Sequence, residues 1–350
     1  MNRRQVQTLG AWLAPAILVA LSSCSDASPT DSEAPQSDIT YEAAFVVNGG
    51  SSTISVIDLA TNEVRRTLPL PGMSWPHHVN LNGDGSHLAL GVPGMDMSEG
   101  HGMGMGMMGR IVVLDALTGA LTQSVDLPGM NHNSVYSPDG TEIWTCQMED
   151  MGVVLVCDAT TLAVMDTIPV GEVPAEVTFS ADGTMAFVAN GMSNTVSVID
   201  VMTKSVMETI PVGMNPVGAW PGANNKMYVD NEDGQSISVI DVPTMAVEET
   251  VPLGFVPGYA AYHAGLGELW VTNTTDGGVN YFQRAGDLWT HAGSIATGAG
   301  AHAIAFTADG SRAYVTNQLA GTVSVIDTAL RTKITDIPVG IKPNGIVLKH

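Results

Sequence analysis

The residues with the most chemistry in this sequence are methionines and histidines. Residues 93–110 (PGMDMSEGHGMGMGMMGR) hold Met95, Met97, Met103, Met105, Met107 and Met108, together with His101 and Asp96. Thioethers are soft ligands, and methionines spaced around a histidine suit Cu(I). The interleaved glycines let several sulfurs turn toward one ion and deny the segment a hydrophobic core. The bland alternative is a low-complexity insertion whose methionines are incidental or form a sticky protein contact.

A second signal is positional. Asp-Gly turns recur at Gly85, Gly140 and Gly310, and eight residues before each stands a histidine: His77, His132 and His302. The turn at Gly183 has Ala175 in that place. Three of the nine histidines thus share one register position at the start of a strand, and imidazole suits copper, zinc and iron. Met73 and Met130, just upstream in PGMSWPHH and PGMNHN, extend the candidate set. His78 follows His77 directly, and alternation along a strand should turn it the other way, so it is ranked below the trio. His87, His263 and His291 share no register and read as structural, and His350 is terminal. Glu172 and Glu176 could face the same region but are weak evidence of acid–base work.

Two cysteines, Cys146 and Cys157, fall in neighbouring strands of one expected hairpin. In an exported protein they meet oxidising conditions, so a disulfide bracing the loop of Met148 and Met151 is expected. Two buried free thiols are the rival, and a copper site using cysteine and methionine is a lesser third.

The elements that must position these residues are repeats. A strand-like pentad recurs as AFVVN ending at Asn48, AFVAN at Asn190, MYVDN at Asn231, LWVTN at Asn273 and AYVTN at Asn317. Degenerate copies end at Gly91 (HLALG) and Gln147 (IWTCQ). The steps between copies are 43, 56, 43, 41, 42 and 44 residues, and the long step contains an insertion. SVID-like segments follow most pentads and PDG-like turns precede several. Short strands repeating every 40–45 residues or so are the signature of propeller blades. In the fourth unit the four strands are expected at 175–179, 185–189, 195–200 and 205–210, from alternation and turn residues. Seven pentads predict an all-β, seven-bladed propeller of four-stranded antiparallel blades. Residues 343–349 are a spare inner strand, and the first unit lacks one, so the carboxyl-terminal strand should close the ring and remove exposed edges. In a propeller the B-to-C and D-to-A loops share a face, which places the three histidines around the axial mouth beneath the methionine-rich loop.

The pentad AYVTN with its SVID, IPVG and PDG companions resembles the YVTN-repeat β-propellers, over residues 41–350. These motifs are the blade's own scaffolding and say little about function. The resemblance implies a range of roles, from binding or surface-layer proteins to redox propellers. Nitrous-oxide reductase, haem-carrying nitrite reductase and the large subunit of methylamine dehydrogenase are of the second kind, with a redox centre on the axis.

The amino terminus addresses location. Arg3 and Arg4 precede an apolar run over 11–21, followed by Leu-Ser-Ser-Cys ending at Cys24. The run is about half the roughly 20 residues that span a membrane, so it reads as a signal segment. The four residues resemble the bacterial lipobox, which implies cleavage after residue 23 and lipidation of Cys24. Residues 24–40 then form a polar, disordered tether, and the propeller occupies 41–350. The expectation is an exported protein of the periplasm or cell surface, anchored by lipid.

The whole chain carries 13 basic and 35 acidic residues; without residues 1–23 the balance is 11 against 35, a net of −24. Such a body should not bind nucleic acid and should attract cations. No G-x-S-x-G, H-E-x-x-H, phosphate loop or C-x-x-C-H occurs, so an enzyme is less expected than a binding protein. The leading expectation is a non-enzymatic, membrane-tethered binding propeller that handles copper or another soft metal through a Met/His-rich face. The alternatives are a redox propeller with haem or copper on its axis and a partner electron donor, and a metal-free protein-interaction scaffold.

Overall fold

The computed structural model describes residues 37–97 and 107–350. Cys24, His101, Met103 and Met105 lie outside them. The described residues form seven four-stranded antiparallel sheets and no helix. Within each blade the strands are named A to D from the axis outward. In blade four these are Pro174–Phe179, Met185–Asn190, Thr195–Asp200 and Ser205–Pro211, within a residue of the expected boundaries. Pro343–Lys349 pairs antiparallel with Ala43–Asn48 and supplies strand A of blade one, so the ring closes as expected. The body begins slightly earlier than the sequence suggested. Ile39 is fully buried against blades one and two, and its N–H bonds Leu117 O at 2.6 Å.

The burial pattern follows from the stacking of blades. Strands B and C, such as Ala43–Asn48 and Thr53–Asp58, are buried at nearly every position because each sheet has a neighbour on both faces. Strand D, such as Glu63–Pro69, has only an occasional buried residue because it faces solvent. β-branched residues in the SVID segments suit this pleated, two-sided packing.

The conserved-looking letters of the repeat have a shared physical cause. The Asn that ends the pentad is buried and ties three segments together. In blade one, Asn48 Nδ2 donates to Thr53 Oγ1 at 3.1 Å and Ser55 Oγ at 3.0 Å, while its Oδ1 accepts from Gly340 N at 3.1 Å. Asn190 repeats this with Thr195, Ser197 and Gly171, and Asn317 with Thr322, Ser324 and Gly298. A buried amide needs all its partners, so the pentad Asn, the SVID Ser and the loop Gly occur together. The glycine is required: a Cβ on Gly340 would stand 2.6 Å from Asn48 Cγ. The SVID aspartates cap the following turn, as Asp158 does by accepting from Thr160 N at 3.0 Å and Thr161 N at 2.7 Å.

The expected disulfide is not formed. Cys146 and Cys157 are both buried free thiols. Cys146 pairs with Val154, three positions from Cys157 on the facing strand, which is about 10 Å along the sheet where a bridge needs about 4.4–6.8 Å between Cα atoms. The odd offset also puts them on opposite faces. Cys146 packs toward blade four with Val177 and Val188, and Cys157 toward blade two with Ile111 and Val113.

Candidate metal centre on the propeller axis

The site is built on an irregularity at the start of strand A. In blade four Pro174 pairs with Asn190 and Glu176 with Ala189, so Ala175 is an extra residue. Blade five repeats this between Pro216 and Gly218. In blade two a single residue, Gly91, serves two partners: its carbonyl accepts from His77 N at 2.9 Å and its N–H donates to His78 O at 3.1 Å. Such a bulge bends the strand and re-aims its side chains. Successive residues can then both face the axis.

This corrects the expectation for His78. The regular strand begins only at Val79, so alternation does not apply to His78. Its ring instead lies 4.5 Å from that of His77, 4.9 Å from His132 and 5.7 Å from His302. The three register histidines do converge, with His77 rings 4.1 Å from His132 and 5.5 Å from His302. His77, His78 and His302 each offer a ligand atom within 4.8 Å of the others, and so do His78, His132 and Glu176. Four imidazoles from blades two, three and seven therefore share one mouth.

Two glycines allow this crowding. A Cβ on Gly91 would stand 2.6 Å from His132 O, and one on Gly345 would stand 2.8 Å from His78 Cα. Gly345 N also donates to His77 O at 3.0 Å. The His77–His78 backbone is thus held by blade one on one side, and blade three leans on Gly91 on the other. Gly91 is the degenerate end of the second pentad; the repeat's Asn would not fit there.

Glu176 is the hub of the cluster and is almost fully buried. Its Oε1 accepts from His132 Nδ1 at 2.8 Å and from His78 Nε2 at 2.9 Å. Burial opposes its ionisation, but the His78 and His132 imidazoles outweigh burial and hold the carboxyl well below the usual carboxylate range. An ionised carboxylate only accepts, so the proton of each bond sits on the histidine nitrogen. For His132, burial pushes the imidazole toward its neutral form, with Glu176 pulling partly the other way. Neutral His132 protonated at Nδ1 keeps a lone pair on Nε2. A carboxylate that fixes a histidine tautomer in this way is the usual support of a metal ligand.

The histidines line a cavity of about 240 Å³ with Met97, Glu176, Trp220 and Glu232. Blade five supplies its acidic wall. Burial first, then Asp233 and Glu176, raises the Glu232 carboxyl to about 7. Burial, with Glu232 and Glu176, also pushes Asp230 well above the carboxylate range, and Asp230 accepts from Trp220 Nε1 at 2.6 Å. These residues were not foreseen. The available signal was Asp230 itself, an acid inside a pentad (MYVDN) where the intact copies carry Val, Ala or Thr.

The methionines divide into groups. Met97, Met130 and Met148 are buried in one cluster with Val173, Ala175 and Val217, and Met95 packs against it. Met97 belongs to both this cluster and the histidine cavity. Lys342 fixes the loop beside it, with Nζ 2.6 Å from Asp96 Oδ2. Met73 does not reach the mouth; it is buried in the core between blades one and two with Leu70 and Val92. Met107 and Met108 are exposed, at 38% and 59%, and stand outside the cluster. The histidines set aside as structural have local partners: His87 with Ser86 Oγ, His263 with Gly310 O and His291 with Asn280 Oδ1.

No family profile and no curated protein matches this sequence. Solved structures do. A protein of unknown function from Desulfotomaculum acetoxidans aligns with a TM-score of 0.72 at 13% identity, over 88% of this chain and 99% of its own. The periplasmic gluconolactonase of Pseudomonas aeruginosa gives 0.71 at 18%, over 88% and 99%. A dihydro-haem d1 dehydrogenase gives 0.63 at 15%, over 85% of this chain and 63% of that one. At these identities the likeness is one of fold: the chain is a seven-bladed β-propeller.

Proposed function

We propose that this protein is a metal-binding propeller of the YVTN-repeat type that takes a copper ion at its axial mouth. The observation that carries the reading is the convergence of His77, His78 and His302 on one point, with ligand atoms within 4.8 Å of one another. Imidazole ligands stand about 2.0–2.1 Å from a first-row ion such as zinc, so small rotations of these side chains close the set. His132, oriented by Glu176, is the fourth imidazole. Histidine alone would suit zinc as well as copper. Met97 in the same cavity, backed by Met130 and Met148, tilts the choice toward copper, because thioethers favour Cu(I). The ionised carboxylate of Glu176 and the net negative charge of the chain favour entry of a cation. The lipobox-like Cys24 and the signal-like residues before it extend the proposal to an exported, lipid-anchored protein of the periplasm or cell surface.

The test is metal analysis of purified protein after loading with Cu(I) and with Cu(II). One tightly held equivalent is expected, lost in a His77→Ala/His78→Ala/His302→Ala variant that still folds. Unchanged stoichiometry in that variant overturns the reading. A redox propeller holding haem is the second reading, favoured by the imidazoles available as axial ligands and by the haem-related structural relative. The cavity of about 240 Å³ falls below the roughly 300–1,000 Å³ that small organic ligands occupy, which suits an ion better than a macrocycle. A Soret band in protein as isolated would reverse that preference.

A further inference from the structure

The axial channel has a second chamber. It is a cavity of about 330 Å³ that shares His78, Glu176 and Trp220 with the histidine cavity but continues along strand A, past Asn80, Tyr136, Thr178 and Tyr259. Nothing in the metal reading uses it. Its size falls within the range of small-molecule sites, about 300–1,000 Å³.

Its chemistry is one-sided. The indole of Trp220 and the ring of Tyr259 are stacked, with centroids 3.8 Å apart, and Tyr136 and Phe179 add two more aromatic rings to the lining. The polar groups near them are already engaged in holding the wall together. Asn133 Nδ2 donates to Val177 O at 2.9 Å, and Thr178 donates to Ala219 O. Trp220 Nε1 is committed to Asp230. What these bonds leave for a ligand is aromatic surface and the Tyr136 and Tyr259 hydroxyls, beside the carboxylate of Glu176. No lysine or arginine lines the chamber, and the chain as a whole is strongly acidic. An anion entering such a space would meet no compensating charge, whereas a cation gains from aromatic faces and from the carboxylate.

The geometry points to a binding site for a small organic cation, an alkylammonium group on an apolar body, in the chamber walled by Trp220, Tyr259, Tyr136 and Phe179. The ammonium sits against the aromatic faces and near Glu176, and the apolar body lies along Val79, Ala303 and Ile346. The chamber shares His78 and Glu176 with the metal cavity, but the proposal needs no metal to be bound.

The experiment uses metal-free, full-length folded protein. Choline is titrated while tryptophan fluorescence and heat are recorded, beside its neutral isostere 3,3-dimethylbutan-1-ol and the neutral sugar lactone glucono-1,5-lactone. Choline should bind saturably and about tenfold or more tighter than the isostere, as a cation–aromatic contribution implies. Ile346→Trp, which fills the chamber, should abolish choline binding and leave copper stoichiometry unchanged. Tyr259→Leu, which removes one aromatic face, should weaken choline by about tenfold even if the first variant folds poorly. Equal affinity for choline and the isostere, tighter binding of the lactone, or no saturable choline binding overturns the proposal. A parent protein that binds choline but takes up no copper would instead count against the metal reading alone.

Discussion

Blades one and two place different residues at equivalent positions, and the contrast shows where function was built into the repeat. In blade one the pentad ends in Asn48, whose amide fastens strand C and the incoming loop at 3.0–3.1 Å. In blade two it ends in Gly91, which has no side chain to fasten anything and lets the backbone of His132 approach. Blade three is intermediate: Gln147 Oε1 still accepts from the loop Gly129 N at 2.8 Å. The fold tolerates the lost latch because neighbouring blades supply other bonds, such as that from Gly345 N to His77 O. A repeat spends its regularity on closure, and it departs from regularity where side chains must converge.

The largest expected effect separates the two regions by function. Replacing His77, His78 and His302 with Ala should remove the copper equivalent entirely while leaving thermal unfolding within a few degrees of the parent, since the rings end in a cavity and His132 still donates to Glu176 when the His78 bond is lost. Metal analysis and calorimetry on the same sample read both. A variant that loses stability and metal together would mean that the cluster is structural.

Asn48→Ala should do the reverse. It deletes three hydrogen bonds of a buried amide, one wholly and two partly buried, and leaves their partners unsatisfied, so unfolding should become easier by about 2–4 kcal/mol, with copper stoichiometry kept. Denaturant titration measures the loss. If copper binding fell as well, latch and site would be coupled through ring closure, and the contrast between blades would be weaker than stated.

These two variants also mark what was legible in the sequence. The blade count, the closing strand and the strand limits of blade four could be read because short buried strands repeat with fixed turns, and a repeat multiplies a weak local signal. The register of His77, His132 and His302 was legible for the same reason. His78 was not, because its orientation depends on a bulge, and alternation describes only regular strands. Glu176 was noticed but undervalued: its role arises from burial and from His78 and His132, which lie far from it in sequence. The Cys146–Cys157 bridge failed on a count that sequence can supply only once the strand register is known. Methionine composition identified Met97 and Met130 but could not separate them from Met73, which the chain buries between two blades.

A smaller effect tests the hub. Glu176→Gln keeps the shape but offers an amide where a carboxylate accepted two imidazole N–H groups. Metal affinity should fall by about 10–100-fold, the usual cost of removing the partner that orients a ligand, while stoichiometry at saturating copper stays at one. Competition with a chelator of known affinity measures it. Met97→Leu should act more selectively. It preserves volume and removes one thioether, so Cu(I) should weaken by less than about tenfold and Cu(II) hardly at all. An equal loss for both ions would assign Met97 to packing.

The smallest effect returns to the regular blades and concerns acid. Asp309 in the turn of blade seven accepts from Thr307 Oγ1 at 2.7 Å and from Ser311 N and Oγ at 2.9 Å. The Ser311 N–H is the chief cause, and these bonds lower its carboxyl to about 2, against about 3.9 in an unfolded chain. A carboxyl depressed on folding contributes stability that is complete above the unfolded value and disappears as pH falls through the folded one. The contribution of Asp309 is therefore whole above about pH 4 and lost toward pH 2. It is small because the turn is open to solvent, which screens the charge. Asp309→Asn should lower the urea midpoint slightly at pH 6, and the gap from the parent should close by about pH 2. Asp139 and Asp182 occupy the equivalent turns of blades three and four, with Ser before and Thr after in place of Thr and Ser, and should respond alike. Glu176 also has a depressed carboxyl, but its cause is two imidazoles rather than a turn. A gap for Asp309→Asn that persisted at pH 2 would show that the turn is held by geometry alone, and that charge matters in this propeller only on its axis.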